Sequence, residues 1–201
     1  MTQKWNKSSD QELARLTRAG SLGAFEELVF RYEKRLYGFL CHKTNNFSDA
    51  EDLVQQVFIK AYRNIGRYSE RYAFLTWLLC IARREAASHY RSRCGRLREL
   101  DEDARIEESN PAMLMEEREQ GELLWELAGK GLPDGQFNAL WMVYHEELSV
   151  KESAKAMNRT VSSVKVLLHR GRRNLLKIYG ESSESPIEKS VGEEGERCFV
   201  S

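Results

Sequence analysis

The sequence predicts an all-α protein in which two small helical domains are joined by a flexible acidic linker, with a helix-turn-helix in the second domain. Apolar residues recur at three- and four-residue steps over most of the 201 residues, which is the period of amphipathic helices. No run of alternating β-branched residues indicates a strand. Between the two periodic parts, residues 99–122 contain ten acidic residues and two arginines, a composition typical of a solvated spacer.

The N-terminal part of the chain, residues 10–98, is expected to form the first domain. Its first two helices occupy residues 10–42 and are separated near Gly20 and Ser21, which interrupt the helical period. The second of these helices has an apolar face that we assign to the core, formed by Phe25, Leu28, Val29, Tyr32, Leu36, Phe39 and Leu40.

A third helix is expected to begin at Asp49 and to run to Ile65. Ser48 can cap it, and the helix dipole favours the acidic residues in its first turn. The residues assigned to its buried stripe are Leu53, Val57, Phe58, Ala61 and Ile65. The opposite face is polar and therefore free to bind a partner through Asp52, Gln55, Gln56 and Lys60.

The next segment joins an aromatic, arginine-containing loop to a basic helix. Gly66 and Ser69 break the helical period, so residues 66–74 are expected to form a loop, and a helix follows from about Leu75 to Arg98. Residues 81–98 contain six arginines and one glutamate. The core stripe of this helix is assigned to Leu75, Leu79, Ala82, Ala86 and Tyr90. The opposite face presents an exposed Trp77 together with Arg84, Ser88 and Arg91.

This loop and helix have the residue types that a surface for single-stranded nucleic acid needs. Bases stack on aromatic rings or guanidinium planes, while cations follow the phosphates. In the loop, the candidates for these contacts are Arg67, Tyr68, Arg71 and Tyr72. The alternative is that the aromatic residues belong to the core and the arginines form an ordinary solvated face.

The second domain is expected to span residues 116–179, after a linker at residues 99–115 that contains the helix breaker Asn110-Pro111. The helical period returns over residues 116–128 and, after a break with two glycines and a proline, over residues 134–147. The core face of this second helix is assigned to Phe137, Leu140, Trp141 and Tyr144.

A helix-turn-helix is expected at the end of this domain. Ser149 and Glu152 form a capping box for a short helix that ends near Met157. Asn158 can adopt the left-handed conformation of the turn, and Thr160 can cap the last helix. The buried stripe of the last helix is assigned to Val164, Leu168, Gly171, Leu175 and Ile178. A plain helical hairpin with a solvated face is the alternative.

The charge of the last helix favours duplex DNA binding, because residues 150–177 contain eight basic residues and one glutamate. Base edges are met by the N-terminal half of such a helix, so Ser162, Ser163 and Lys165 are candidate base readers. Arg170, Arg172 and Arg173 are better suited to phosphates, and His169 is a further candidate DNA contact on the same side of the helix.

Other features of the composition exclude several classes of protein. The 31 basic and 31 acidic residues cancel, no apolar run reaches membrane-spanning length, and the N-terminus is polar, so a soluble cytoplasmic protein is expected. The four cysteines are widely spaced, and Cys41-His42 as half of a metal site is a less favoured alternative to a buried thiol. No phosphate-binding loop, nucleophile elbow or metal cluster indicates an enzyme or a cofactor. Residues 180–201 are expected to form a disordered acidic tail.

Several motifs in this order resemble the extracytoplasmic-function (ECF) sigma factors of bacterial RNA polymerase, which belong to the sigma-70 family. The similarity covers about residues 10–179. The matching segments are Asp49-Ala50-Glu51-Asp52-Leu53-Val54-Gln55-Gln56-Val57-Phe58, Ala61-Tyr62, Phe74-x-Thr76-Trp77-Leu78 with Ile81-Ala82, and Val164-Lys165 with Leu168-His169-Arg170.

The resemblance implies a two-domain initiation factor that performs no chemistry itself. Residues 10–98 would be sigma region 2, residues 116–179 sigma region 4, and the partners core RNA polymerase, promoter DNA and an anti-sigma factor. The polymerase β′ clamp would be met by Asp49, Glu51, Asp52, Gln55, Gln56 and Lys60, and the β flap is a further expected contact. The loop and basic helix would recognise and melt the minus-ten element, and the helix-turn-helix would read the minus-thirty-five element.

Two positions depart from the pattern of the family. Arg84 and Ser88 stand where these sigma factors commonly have Asn and Asp. Both lie on the face assigned to DNA, so we expect an unusual minus-ten preference. A self-sufficient DNA-binding regulator is the competing hypothesis, although a single helix-turn-helix without an obvious dimerisation segment argues against it.

Overall fold

The computed structural model describes Trp5, residues 7–99 and residues 120–183, and for residues 94–99, 120 and 181–183 it describes the backbone alone. Over these ranges the chain forms helices and no strand. The α-helices are α1 (Asp10–Arg18), α2 (Leu22–Thr44), α3 (Phe47–Arg63), α4 (Phe74–Glu99), α5 (Gln120–Gly131), α6 (Asp134–Leu140), α7 (Val150–Met157) and α8 (Val161–Ser183). The all-α prediction is confirmed, whereas the predicted linker beyond Glu99 and the predicted tail beyond Ser183 lie outside the described residues.

The first unit packs α1 to α4 around the predicted apolar stripes. The start of α3 was placed wrongly, because Asn46 rather than Ser48 is its N-cap. Asn45 takes the left-handed conformation that ends α2. This turn leaves Asn46 extended, so its Oδ1 accepts the backbone N–H of Asp49 at 3.0 Å. The helix therefore begins two residues earlier than the acidic cluster suggests.

Helix α4 buries its predicted stripe at Leu75, Leu79, Ala82 and Ala86, but the assignment of Tyr90 to that stripe is wrong because Tyr90 is 70% exposed. At this level, α4 faces the first turn of α3 through His89 and Arg93, which both approach Asp49. The helical stripe drifts round the axis over four turns, so Tyr90 is rotated away from this contact.

The second unit contains α5 to α8, and its local signals are confirmed. Ser149 and Glu152 form the predicted capping box. Asn158 has φ 52°, and Thr160 Oγ1 accepts the backbone N–H of Ser163 at 3.2 Å. The core assignment of Tyr144 is wrong, because α6 continues as a π-helical turn over Trp141–His145. The wider turn changes the helical period, so Trp141 is buried while Tyr144 is 52% exposed.

The two units pack against each other, and their buried side chains form one continuous core. Phe39 of α2 stacks on Phe137, with ring centroids 6.1 Å apart, and also contacts Trp141. Helix α4 of the first unit also packs on α7 of the second. The packing brings the predicted single-strand surface next to the helix-turn-helix.

Candidate nucleic-acid interface

The outer face of α3 is exposed at five of the six positions assigned to polymerase binding. Helical spacing and the burial of the opposite stripe direct Glu51, Asp52, Gln55 and Gln56 to the surface. Lys60 is half-exposed and forms an ion pair with Glu85 of α4. This face therefore offers a row of amide and carboxylate groups to a partner.

Asp49 has a structural partner, which the sequence did not indicate. Its Oδ2 accepts a hydrogen bond from Arg93 Nη1 at 2.7 Å, and His89 Nε2 lies 3.7 Å from Oδ1. The carboxylate ties the start of α3 to the middle of α4. The assignment of Asp49 to the partner face is therefore corrected: its carboxylate is largely engaged within the fold.

The loop between α3 and α4 is held in place by Arg18 of α1. The Arg18 Nε donates to the carbonyl of Ile65 at 3.1 Å, and its Nη2 donates to the carbonyl of Tyr68. A 3-10 turn spans Ile65–Arg67, so the predicted loop is partly helical. These two hydrogen bonds fix the aromatic loop on α1.

The expectation that Tyr68 is free to stack on a base is wrong, because only 3% of the residue is exposed. Its ring packs against the rings of Phe74 and Trp77, whose centroids are 5.4 and 5.6 Å from its own. Its hydroxyl donates to the carbonyl of Tyr72 at 2.9 Å. Burial raises the pKa of this hydroxyl. Trp77 is half-buried by the same packing, so it is less exposed than its helical position predicted.

A cleft of about 330 Å³ lies beside this aromatic cluster. Four of the predicted single-strand contacts line it, namely Arg67, Arg71, Tyr72 and Trp77, and the remaining lining residues are Ser69, Thr76, Cys80, Lys155 and Ala156. Three lining side chains are cationic and none is acidic, so the cleft is electropositive. An aromatic base and its phosphate would meet ring faces and cations there.

Sequence reasoning missed five of the lining residues, and two of them, Thr76 and Lys155, have polar groups that bear on binding. The hydroxyl Oγ1 of Thr76 is buried and, among the described residues, has no hydrogen-bond partner. Lys155 comes from α7 of the second unit, and its Nζ lies 5.1 Å from the centroid of the Tyr72 ring. No local signal could have found Lys155, because only the packing of the two units brings it to the cleft.

Arg84, Ser88 and Arg91 are exposed and continue from Trp77 along one side of α4. The stripe from Trp77 to Arg91 spans 14 residues, or about 21 Å of helix. These three residues do not line the cleft. A strand leaving the cleft along α4 would meet them in turn.

The outer face of α8 carries the predicted duplex contacts. Six of the seven predicted residues are exposed, namely Ser162, Lys165, His169, Arg170, Arg172 and Arg173. Ser163 is half-buried near the N-terminal cap. The Nε of Arg172 donates to the carbonyl of Leu168 at 3.4 Å, and its side chain lines a pocket with Gly121 and Leu124 of α5. Val166 is 48% exposed in the middle of the face and was missed, because an apolar residue was not expected among readers.

No group of side chains that could hold a metal ion occurs in the described ranges. Cys41 and His42 line a small pocket with Glu122 and Glu126. Burial raises the pKa of the Cys41 thiol. None of the helices described is long and apolar enough to cross a membrane.

Comparisons with known proteins agree with this arrangement of two units. Residues 28–94 match the family described as Sigma-70 region 2, and residues 128–175 match Sigma-70, region 4. The chain is 31% identical to the RNA polymerase sigma-H factor of Pseudomonas aeruginosa, over 83% of this chain and 91% of that protein. It is 30% identical to the ECF RNA polymerase sigma-E factor of Haemophilus influenzae, over 82% and 92%.

Two solved structures share the fold. One is the sigma factor RpoE of Bartonella quintana in complex with the anti-sigma factor NepR, with a TM-score of 0.67, 20% identity, and coverage of 78% of this chain and 96% of that chain. The other is CnrH in complex with the cytosolic domain of CnrY, with a TM-score of 0.64, 21% identity, and coverage of 86% and 97%.

Proposed function

This chain belongs to the ECF sigma factors of the sigma-70 family, and we propose that it directs RNA polymerase to promoters through three separate surfaces. These are the outer face of α3, the cleft between the aromatic loop and α4, and the outer face of α8. As a sigma factor it acts in transcription initiation. Sigma factors are as a rule regulators and not enzymes, and we infer that this chain likewise contributes binding energy and no chemical step.

The cleft is the observation that carries the proposal for the minus-ten element. It combines the Tyr72 ring with Arg67 and Arg71 beside the packed rings of Tyr68, Phe74 and Trp77. Stacking of an unpaired base on an aromatic ring stabilises the melted state, because the paired duplex offers no free base face. Thr76 also lines the cleft, and its buried Oγ1 has no hydrogen-bond partner among the described residues.

The outer face of α3 is proposed to bind the β′ clamp of core polymerase. Its exposed polar groups are Glu51, Asp52, Gln55 and Gln56, with Lys60 at the edge. Because Asp49 is engaged by Arg93, we assign it the role of positioning this face, with only a secondary role in direct contact. The β flap is a further proposed contact of the second unit.

The outer face of α8 is proposed to read the minus-thirty-five element. Ser162 and Lys165 lie at the N-terminal half of the helix, where base edges are met, and Val166 beside them can contact a thymine methyl group. Arg170 and Arg173 are directed to solvent and suit phosphates. Arg172 is held back by Leu168 and is assigned to the edge of the interface.

An anti-sigma factor is the second protein partner that we propose. The two solved relatives were each determined in complex with a second protein, NepR in one case and the cytosolic domain of CnrY in the other. A protein of the same kind would hold this chain away from polymerase in the cytoplasm until it is released.

In vitro transcription from a promoter library, with purified core polymerase in the presence or absence of this protein, tests the proposal. We expect new start sites downstream of promoters that share two spaced elements. The variant Arg71→Ala should lose starts that Lys7→Ala, a control outside all three surfaces, retains. If no new start sites arise while the protein binds duplex DNA alone, a self-sufficient regulator replaces this proposal.

A further inference from the structure

An apolar groove lies between α5 and the C-terminal half of α8. It has a volume of about 510 Å³, and its lining residues are Gly121, Leu124, Arg172, Leu175, Leu176 and Tyr179. The four that belong to α8 recur at helical spacing, so they form one stripe along that helix. Leu176 in this stripe is 72% exposed. An exposed apolar stripe beside a groove indicates a surface that another segment can cover.

The helix that supplies most of the groove also carries a row of exposed cations. Arg172 lines the groove itself, and Arg173 and Lys177 are next to groove residues in the sequence. Residues 161–180 contain no acidic residue. None of these three cations forms an ion pair with another residue that the structure describes. An occupant that suits this surface therefore needs apolar side chains next to carboxylates.

The segment that follows α8 has this composition. Residues 184–201 contain five glutamates, one lysine and one arginine, which gives a net charge of −3. Three of the glutamates, at positions 193, 194 and 196, stand shortly before the apolar run Cys198-Phe199-Val200. Carboxylates that precede an aromatic residue by a few positions match an apolar groove with cations beside it.

The segment is long enough to reach the groove from the end of α8. Leu176 lies seven residues before Ser183, which is about 11 Å along the helix axis. The 16 residues from Ser183 to Phe199 can span about 50 Å when extended. Pro186 disfavours a continuation of α8, because its ring excludes helical geometry at the residue before it. The length and the proline together allow Phe199 to return to Leu176.

We propose that residues 184–201 dock on the groove between α5 and α8, with Phe199 against Leu176 and the glutamates against the cations of α8, and that this docking competes with duplex DNA. The competition rests on the proposed function, because it takes α8 to be the duplex-binding helix. Arg173 is assigned to a phosphate there, and a glutamate paired with it would occupy the same cation. Docking therefore lowers the affinity of the free chain for the minus-thirty-five element.

Photo-cross-linking from the groove identifies its occupant directly. The photoreactive residue benzoylphenylalanine replaces Leu176 in the full chain, and mass spectrometry identifies the peptides that are attached to it after irradiation. Val166 is the matched control position, since it is another exposed apolar residue of α8 but does not line the groove. We expect cross-links within single chains from position 176 to residues 184–201, and few such cross-links from position 166.

The same experiment names the competing occupants. Residues 100–119 contain the apolar run Met113-Leu114-Met115 shortly before α5, and a second copy of the chain is another candidate. Cross-links from position 176 to residues 100–119, or between two chains, would overturn the proposal and show what covers the groove. A yield to residues 184–201 that is no higher from position 176 than from position 166 would also overturn it.

The competition with DNA is tested by fluorescence anisotropy of a duplex carrying the minus-thirty-five sequence found in the promoter library. Phe199→Ser removes the apolar anchor and leaves the net charge unchanged, so a gain in affinity cannot come from weaker repulsion of DNA. If nine-tenths of the free chains are docked, this variant should bind the duplex about tenfold more tightly. Ile187→Ser, the same kind of change outside the residues placed on the groove, should leave the affinity unchanged.

A variant on the other side of the contact provides an independent test. Leu176→Ser should raise the duplex affinity as Phe199→Ser does, and the double variant should gain no more than either single variant, because both changes remove one contact. Gains that simply add up would show that the two residues do not meet and would overturn the docking geometry. Circular dichroism checks that Leu176→Ser retains its helices.

A cross-link to residues 184–201 without any gain in the affinity of Phe199→Ser would overturn the competition with DNA. In that case Arg173→Ala shows where the error lies. If Arg173→Ala weakens duplex binding, α8 does bind DNA and only the inhibitory role of the segment was wrong. If it does not, the assignment of α8 in the proposed function has failed as well.

Discussion

Replacing Tyr72 by alanine should weaken binding of the melted minus-ten strand with little effect on folding. The ring lines the cleft and is half-exposed. Tyr72 contributes to the fold through its backbone carbonyl, which accepts a hydrogen bond from the Tyr68 hydroxyl. The alanine variant keeps this carbonyl. Stacking of one base on an aromatic ring contributes about 1–3 kcal/mol. Since about 1.4 kcal/mol corresponds to a tenfold change, we expect a loss of about 5- to 150-fold in affinity.

The measurement should be made on the holoenzyme, because the proposed function assigns minus-ten binding to the factor bound to polymerase. Removing the ring also removes its contact with Lys155 at 5.1 Å, and a cation–π contact at an exposed site contributes about 0.5–1 kcal/mol. An effect of the substitution on the free chain would therefore include the loss of this contact as well as the loss of base stacking.

The assay is fluorescence anisotropy of a labelled non-template strand, titrated with holoenzyme at fixed salt. Tyr72→Phe is the matched control, since it keeps the ring and removes only the hydroxyl, and it should bind within about twofold of the unmodified protein. An affinity of Tyr72→Ala that stays within twofold would refute the stacking argument. An equal loss in Tyr72→Phe would replace it with a hydrogen-bonding role.

The remaining predictions concern polymerase binding, duplex binding and pH. Asp52→Ala should weaken core polymerase binding without lowering the free energy of unfolding. Asp49→Ala should lower the free energy of unfolding by about 1 kcal/mol, because it removes the ion pair with α4. Urea unfolding measures the effect on stability, and a polymerase pull-down measures the effect on binding. Arg173→Ala should reduce the slope of log affinity for minus-thirty-five duplex against log salt by about 0.9 if the arginine contacts one phosphate, and an unchanged slope removes it from the interface. Burial, and then the hydrogen bond to Asp10, raise the pKa of Tyr32 above its ordinary value of 10.0. The protonated Tyr32 hydroxyl therefore makes its full contribution to the free energy of unfolding below about pH 10. At higher pH this contribution is lost by up to about 1.4 kcal/mol per pH unit. In urea titrations Tyr32→Phe should show a shallower alkaline decline, and an identical decline would contradict this.

Local signals were sufficient for the helices and the helix-turn-helix. The capping box at Ser149 and the left-handed turn at Asn158 depend on neighbours within a few residues, so the sequence contains all the information needed. Tyr68 is the opposite case. An aromatic residue in a loop between arginines looks exposed, but the rings of Phe74 and Trp77 in the first turn of α4 pack against it. Nothing in the local period specifies that packing.

Phe39 of α2 shows why a correct assignment to the core can still leave unknown which residues cover the side chain. The period of α2 placed Phe39 in the core, and Phe39 is buried, yet the rings that cover it come from Phe137 and Trp141 in the other unit. An apolar period reports that a face is buried and says nothing about which element covers it. The residues proposed to bind DNA follow, within each unit, from the period of its own helices. Lys155, in contrast, reaches the cleft only because the two units pack together, so sequence reasoning identifies residues of the first unit that line the cleft and misses the contribution of α7.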